Sequence, residues 1–176
     1  DLVELVTELG GEMLLMSGIA STREAAQSII AKNLATRKGL DKLAELIDAQ
    51  GGDRAVIDNP SLLPQARMKL EIASERSGYV AAIDAFEVGL VSKILGAGRT
   101  AKDGAIDLST GIYLNKKIGD YVKTGEALAV LHCDGDNEKI KAAKARFLKA
   151  YTILPDRGDL PKCVHARVTS AGVEEL

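Results

Sequence analysis

His132, Cys133, Cys163 and His165 together have the ligand chemistry of a Cys₂His₂ metal centre. Structural zinc sites pair such ligands at spacings of roughly two to four residues between cysteines and three to five between histidines. Here His132 and Cys133 are adjacent in a stretch that alternates like a strand, so they point to opposite faces. They read as a half-exposed histidine beside a buried thiol, and no metal is expected. Nucleophilic catalysis has no better footing. Both histidines fall on expected strands, and no serine or cysteine has the setting of a nucleophile elbow. The acid pairs Asp134/Asp136 and Glu174/Glu175 read as helix-capping and tail charges, and no Walker-type glycine loop is present.

A lysine can also do chemistry by carrying a cofactor. The stretch "KKIGDYVKTGEALAVLH", 116–132, has a turn at Gly119-Asp120, another at Thr124-Gly125, and alternating apolar residues. Swinging-arm carriers of the biotinyl or lipoyl type are often written this way, with the modified lysine at a hairpin tip between small or sulfur-containing residues. Lys116-Lys117 precede the first turn without such flanks, and Met68-Lys69 falls where a strand is expected. The preferred reading is a barrel-like β-unit of related shape in which Gly119, Asp120 and Gly125 are structural corners and no cofactor is attached. The alternative is a stand-alone carrier-like or interaction module. A second stretch, "LGAGRTAKDGAIDLSTGI", 95–112, places Gly96 and Gly98 just after a helix, where they permit positive φ and close backbone approach. Arg99 can meet an anion or a carbonyl there. By spacing alone this is a helix stop followed by a turn.

The elements that must hold these stretches are α+β. "DLVELVTELGGEMLLMSG" puts Leu2, Leu5, Val6, Leu9, Met13 and Met16 on one helical stripe, which needs a partner surface. A helix in full stride at Asp1 is expected of a piece of a longer protein, and a processed N-terminus would look the same. "STRE", Ser21 to Glu24, reads as a capping box for a second helix that bends near Lys38-Gly39 and ends at Gly51-Gly52. Pro60 and Pro64 make a connection. Alternation of Met68, Leu70, Ile72 and then Tyr79, Ala81, Ile83 predicts two short strands. Asp84 starts a short helix whose buried stripe is Phe86, Leu90, Val91, Ile94 and Leu95, closed by Gly96. Strands are expected at 106–113 and 127–133. A charged helix with Ile140, Ala143, Phe147, Leu148 and Tyr151 inward follows, ended by Pro155, and "KCVHARV" reads as an edge strand. The expected architecture is N-terminal helices followed by a β-rich, barrel-sandwich-like subdomain with flanking helices. Its divisions are a helical segment with linker, 1–64, an α+β subdomain, 65–155, and a tail, 156–176.

Composition narrows the partners. With 176 residues, 46% of them hydrophobic, the chain can bury a real core. Its formal net charge is −2, its 23 basic residues are scattered, and aromatics are only 3%, so neither a phosphate-backbone footprint nor a base-stacking platform is expected. No nucleic acid or membrane partner is therefore expected, since no apolar run approaches the roughly 20 residues of a span. Two cysteines point to a reducing, cytoplasmic setting.

Taken as a string, "LGAGR", "AKDGAIDLSTGI" and "KKIGDYVKTGEALAVLH" resemble the C-terminal region of the pyrimidine-nucleoside and thymidine phosphorylases. "VIDNPSLLPQA" and the first helix match the same family in the same order, so the resemblance covers roughly 1–155 and fits the tail least. It implies phosphorolysis, in which inorganic phosphate attacks C1′ of a (deoxy)ribose and the pyrimidine base leaves with inversion. It also implies a two-lobed homodimer with a small base-binding lobe and a large phosphate-binding lobe that close together, without a cofactor. The family's lysine-containing phosphate loop and its base-reading arginine, serine and lysine have no match here. No catalytic residue is carried over, and the chain alone is expected to be inactive. Gly96, Gly98 and Arg99 are expected to shape a loop facing the interlobe space.

Overall fold

The computed structural model describes residues 1–99, 101–135 and 137–175, in two compact units. One comprises 1–60 with 161–176, and the other 61–160. Asp136, one of the acids weighed above, lies outside the described residues.

The first unit is built from α1 (Leu2–Met16), α2 (Arg23–Ala35) and α3 (Lys38–Ala49), two 3₁₀ turns (Arg54–Ile57 and, at its edge, Pro60–Leu62), and a C-terminal hairpin of β7 (Ala166–Thr169) and β8 (Gly172–Glu175). The apolar stripe of α1 does not face α2. Leu2, Leu9, Met13 and Met16 are exposed, whereas Gly11 is buried. A Cβ on Gly10 would stand 2.9 Å from Ile30 Cδ1, so α2 meets α1 on its small-residue face. Polar contacts complete that seam. Arg23 reaches Glu8 at 3.1 Å and Glu12 at 3.5 Å, Gln27 donates to Glu8 at 2.8 Å, and Arg167 of β7 pairs with Glu12 at 3.0 Å.

The cap of α2 corrects the expectation by one residue. Thr22, not Ser21, accepts the Ala25 N–H at 3.2 Å, because helical backbone begins at Arg23 and the third residue after Thr22 is an alanine, which cannot reciprocate. The break to α3 falls at Thr36-Arg37, where Arg37 takes φ 60°. The stop after α3 is a Schellman closure: Gly51 is at φ +76°, the Gly52 N–H reaches the Ile47 carbonyl at 2.9 Å, and the Gly51 N–H reaches Asp48 at 3.0 Å.

The second unit holds the main core. β1 (Met68–Ala73), β5 (Ala127–Cys133) and β3 (Gly111–Leu114) form one antiparallel sheet in the order β1-β5-β3. β4 (Tyr121–Val122), β2 (Gly78–Ile83) and β6 (Tyr151–Leu154) form another, in the order β4-β2-β6. With α4 (Ala85–Ser92) and α5 (Asn137–Ala150) they enclose Ile72, Val80, Val91, Leu95, Val122, Leu128, Leu131, Cys133, Ala143 and Phe147.

Several expectations change here. β1 and β2 are successive strands, yet they belong to different sheets. In β2 Gly78 and Val80 are the buried residues while Tyr79 and Ala81 are half-buried, and beyond a register slip between Val80 and Ala82 the half-buried Ile83 packs against the core. Phe86 is 72% exposed, and Val91 and Leu95 carry the buried stripe of the α4 region. The strand expected at 106–113 begins only at Gly111. Residues 151–154 leave the helix to form β6, which lets Tyr151 stay buried while its backbone pairs with Ile83.

Candidate functional site

α4 ends in a single π turn, Lys93–Ala97, and the chain then crosses to β3 through the stretch that holds the sequence-singled residues. Asp84 starts α4 by accepting the Glu87 N–H at 3.1 Å, and Leu95 is anchored in the core, so the loop departs from a fixed point. Gly96 stands at φ +120°, ψ −5°, a conformation that L side chains rarely adopt. A Cβ there would lie 3.4 Å from Asp107 Cβ, at the edge of ordinary contact, so it is the backbone shape that calls for glycine. Gly98 is extended at φ −144°, and its constraint is space: a Cβ would stand 3.1 Å from Lys93 Cγ. Arg99 is exposed, and its guanidinium has no carboxylate partner among the described residues.

The far end of the loop is held by a residue that the sequence reading passed over. Asp107 Oδ1 accepts the Ser109 N–H at 2.9 Å and the Ser109 hydroxyl at 2.7 Å. These bonds to Ser109, the hydroxyl first, hold the carboxyl below the usual carboxylate range. The Asp107 N–H donates to the Gly96 carbonyl at 2.9 Å and ties the two ends together. The signal was present in the sequence as Asp-Leu-Ser, the spacing of an aspartate that bonds the backbone two residues on.

The two turns of the 116–132 stretch lace onto different strands. At the first, Gly119 is at φ +91°, its N–H donates to Val80 O at 2.8 Å, and Asp120 O accepts the Val80 N–H at 2.9 Å. Asp120 Oδ2 accepts the Lys117 N–H at 2.8 Å and closes the corner. At the second, Gly125 is at φ +84° and bonds Ser74 O at 2.8 Å, while the Ser74 N–H returns to Glu126 O at 2.8 Å. One turn thus grips β2 and the other the end of β1, the strands of separate sheets. Lys116, one of the lysines weighed as a carrier, has its ammonium 2.6 Å from Glu126 and bonded to Tyr121 O at 3.0 Å, on a side chain only 20% exposed. That bond, with a backbone bond from Lys123, lowers the Glu126 carboxyl.

His132 and Cys133 alternate across β5 as expected, the thiol buried and the imidazole half-buried. Burial, then the charge of Asp134, pushes the Cys133 thiol up. Cys163 and His165 belong to the other unit. Among the described residues no group of three or more histidine, cysteine or acid side chains is arranged to hold a metal ion.

Residues 79–154, from the start of β2's pairing with β6 to the end of β6, match the family model described as the pyrimidine nucleoside phosphorylase C-terminal domain. The matched span contains the Gly96–Asp107 loop and both turns. The chain belongs to the pyrimidine-nucleoside phosphorylase family. The pyrimidine-nucleoside phosphorylase of Staphylococcus aureus (strain USA300) is 43% identical over 169 residues, which is 96% of this chain and 38% of that protein. The pyrimidine-nucleoside phosphorylase of Staphylococcus haemolyticus (strain JCSC1435) is 42% identical over 137 residues, 78% of this chain and 32% of that protein. The match therefore spans about a third of the length of these phosphorylases. Such relatives do not favour a stand-alone carrier module. Among the described residues no helix is long and apolar enough to cross a membrane.

Proposed function

We propose that this chain is the C-terminal part of a cytoplasmic, homodimeric pyrimidine-nucleoside phosphorylase of the thymidine phosphorylase type, a pentosyltransferase of nucleoside salvage. A phosphate oxygen attacks C1′, the C1′–N bond breaks, and the base leaves with the bonding pair and takes up a proton, giving a (deoxy)ribose 1-phosphate. The observation that carries this reading is the 43% identity over 169 residues to relatives bearing that name.

The chain's own share is structural. Residues 1–64 serve as a helical segment of the large lobe, 65–155 as a barrel-sandwich-like C-terminal subdomain, and 156–176 as a tail. Gly119, Asp120 and Gly125 act as its folding corners. Gly96, Gly98 and Arg99 form a loop facing the interlobe space, where an unpaired guanidinium can meet an acceptor when the lobes close. Closure serves the chemistry because an oxocarbenium-like transition state needs positioning and exclusion of water. The phosphate- and base-binding residues lie outside this chain, so the chain alone is inactive.

Release of uracil or thymine from uridine or thymidine in the presence of phosphate tests the proposal. The longer parent protein is expected to turn over and the 176-residue chain is not. A parent without phosphorolysis refutes the assignment, and base release by the chain alone refutes its inactivity.

A further inference from the structure

We propose that Asp107 is a positioning residue of the phosphorylase, the pin that holds the Arg99 loop in its working shape; this rests on the reading of that loop as interlobe. The pin has two parts acting in series. The carboxylate, by accepting both the N–H and the hydroxyl of Ser109, locks the turn from Asp107 to Thr110, and the Asp107 carbonyl receives the Thr110 N–H at 3.4 Å and its hydroxyl at 3.1 Å. With the turn locked, the Asp107 N–H is aimed at the Gly96 carbonyl, which it meets at 2.9 Å.

Gly96 is the other half of the device. Its positive φ, which L side chains rarely adopt, turns the carbonyl toward the returning chain. The bond joins residues 96 and 107, so everything described between them, Arg99 included, hangs from one backbone bridge. Asp107 itself is exposed, its carboxylate has no cation partner among the described residues, and it contributes nothing to the buried core. An acid so placed is explained by the shape of the loop better than by the stability of the fold. The turn also leaves Leu108 77% exposed.

Arg99 and Lys102 are trypsin sites inside the bridged loop, so proteolysis reads its closure directly in the isolated chain. Asp107→Ala is expected to accelerate cleavage after Arg99 and Lys102 by about tenfold, the equivalent of one net hydrogen bond, with circular dichroism unchanged. Asp107→Asn, which keeps an acceptor oxygen for Ser109, is expected to stay within about threefold of the parent rate, and Ser109→Ala to fall between them. Should Asp107→Ala not fold, Ser109→Ala carries the measurement. An unaltered cleavage rate in both Asp107→Ala and Ser109→Ala overturns the pin.

In the full-length enzyme, losing a contact that is made only in the transition state lowers kcat and kcat/KM together and leaves KM in place. That pattern is expected for Asp107→Ala, with recovery in Asp107→Asn. Arg99→Ala, measured alongside, separates the two ideas. If Arg99→Ala impairs turnover and Asp107→Ala does not, the positioning role is wrong and the interlobe reading stands. If neither impairs it, the interlobe reading falls and the positioning role with it.

Discussion

Gly78→Ala is the sharpest test of how closely β2 and β6 pair within their sheet. Gly78 is buried at the start of β2 with φ +153°, and a Cβ there would stand 2.5 Å from the Leu154 carbonyl oxygen, 3.1 Å from its carbon and 2.9 Å from Ile153 Cγ2. The obstacle is the backbone of β6, which cannot rotate away as a side chain can. Alanine must therefore push β6 off β2 where Tyr79 faces Leu154. The backbone strain is of order 1–3 kcal/mol, and losing one or two strand-pair hydrogen bonds adds about 1 kcal/mol each, about 2–5 kcal/mol together. Gly125→Ala is the matched control. It too has a positive φ, +84°, but no atom lies within 4 Å of the added Cβ. Only the left-handed penalty applies there, about 1–2 kcal/mol. Urea unfolding followed by far-ultraviolet circular dichroism measures both. With m of roughly 1–3 kcal/mol/M, the midpoints of the two variants should differ by about 1 M while m stays constant. If Gly78→Ala costs no more than Gly125→Ala, the argument from the β2–β6 approach is wrong.

Other outcomes follow from single contacts. Phe147 is fully buried against Tyr151, with ring centroids 5.0 Å apart, so Phe147→Ala should cost about 3–5 kcal/mol in the same urea assay. Thr22→Ala should lower stability by about 1 kcal/mol, while Ser21→Ala stays within about 0.5 kcal/mol, because only Thr22 caps α2. Burial, then the charge of Asp120, pushes the Tyr151 phenol up to about 12 from 10, and its hydroxyl donates to Lys116 O at 2.9 Å. The folded state thus holds this proton more tightly than the unfolded one. The associated stability is intact below pH 10 and is lost as pH rises toward 12. Thermal melts across that window should fall less steeply for Tyr151→Phe than for the parent chain.

Features decided within a few residues were legible. Asp84 begins a helix because its carboxylate reaches an N–H three residues on, and Gly51-Gly52 ends one because a left-handed residue closes the last turn. The strand at 127–133 was readable from alternation, with Cys133 inward and His132 toward the other face. Asp107 was legible in principle as Asp-Leu-Ser, but the bond that gives it a role runs eleven residues back to Gly96, and no local pattern announces it.

The sequence by itself determined the helix and strand signals that neighbours along the chain settle, such as the Asp84 cap before α4 and the Gly51-Gly52 stop after α3. Kinship was legible there too, in strings of residues such as "LGAGR". The tertiary structure alone decided that β1 and β2 join different sheets, that Tyr151–Leu154 leaves helical periodicity to pair with β2, and that Phe86 and the apolar stripe of α1 stay exposed. Those outcomes depend on which surfaces meet across long stretches of chain. Helical or strand periodicity says which residues share a face, but only packing says what that face touches.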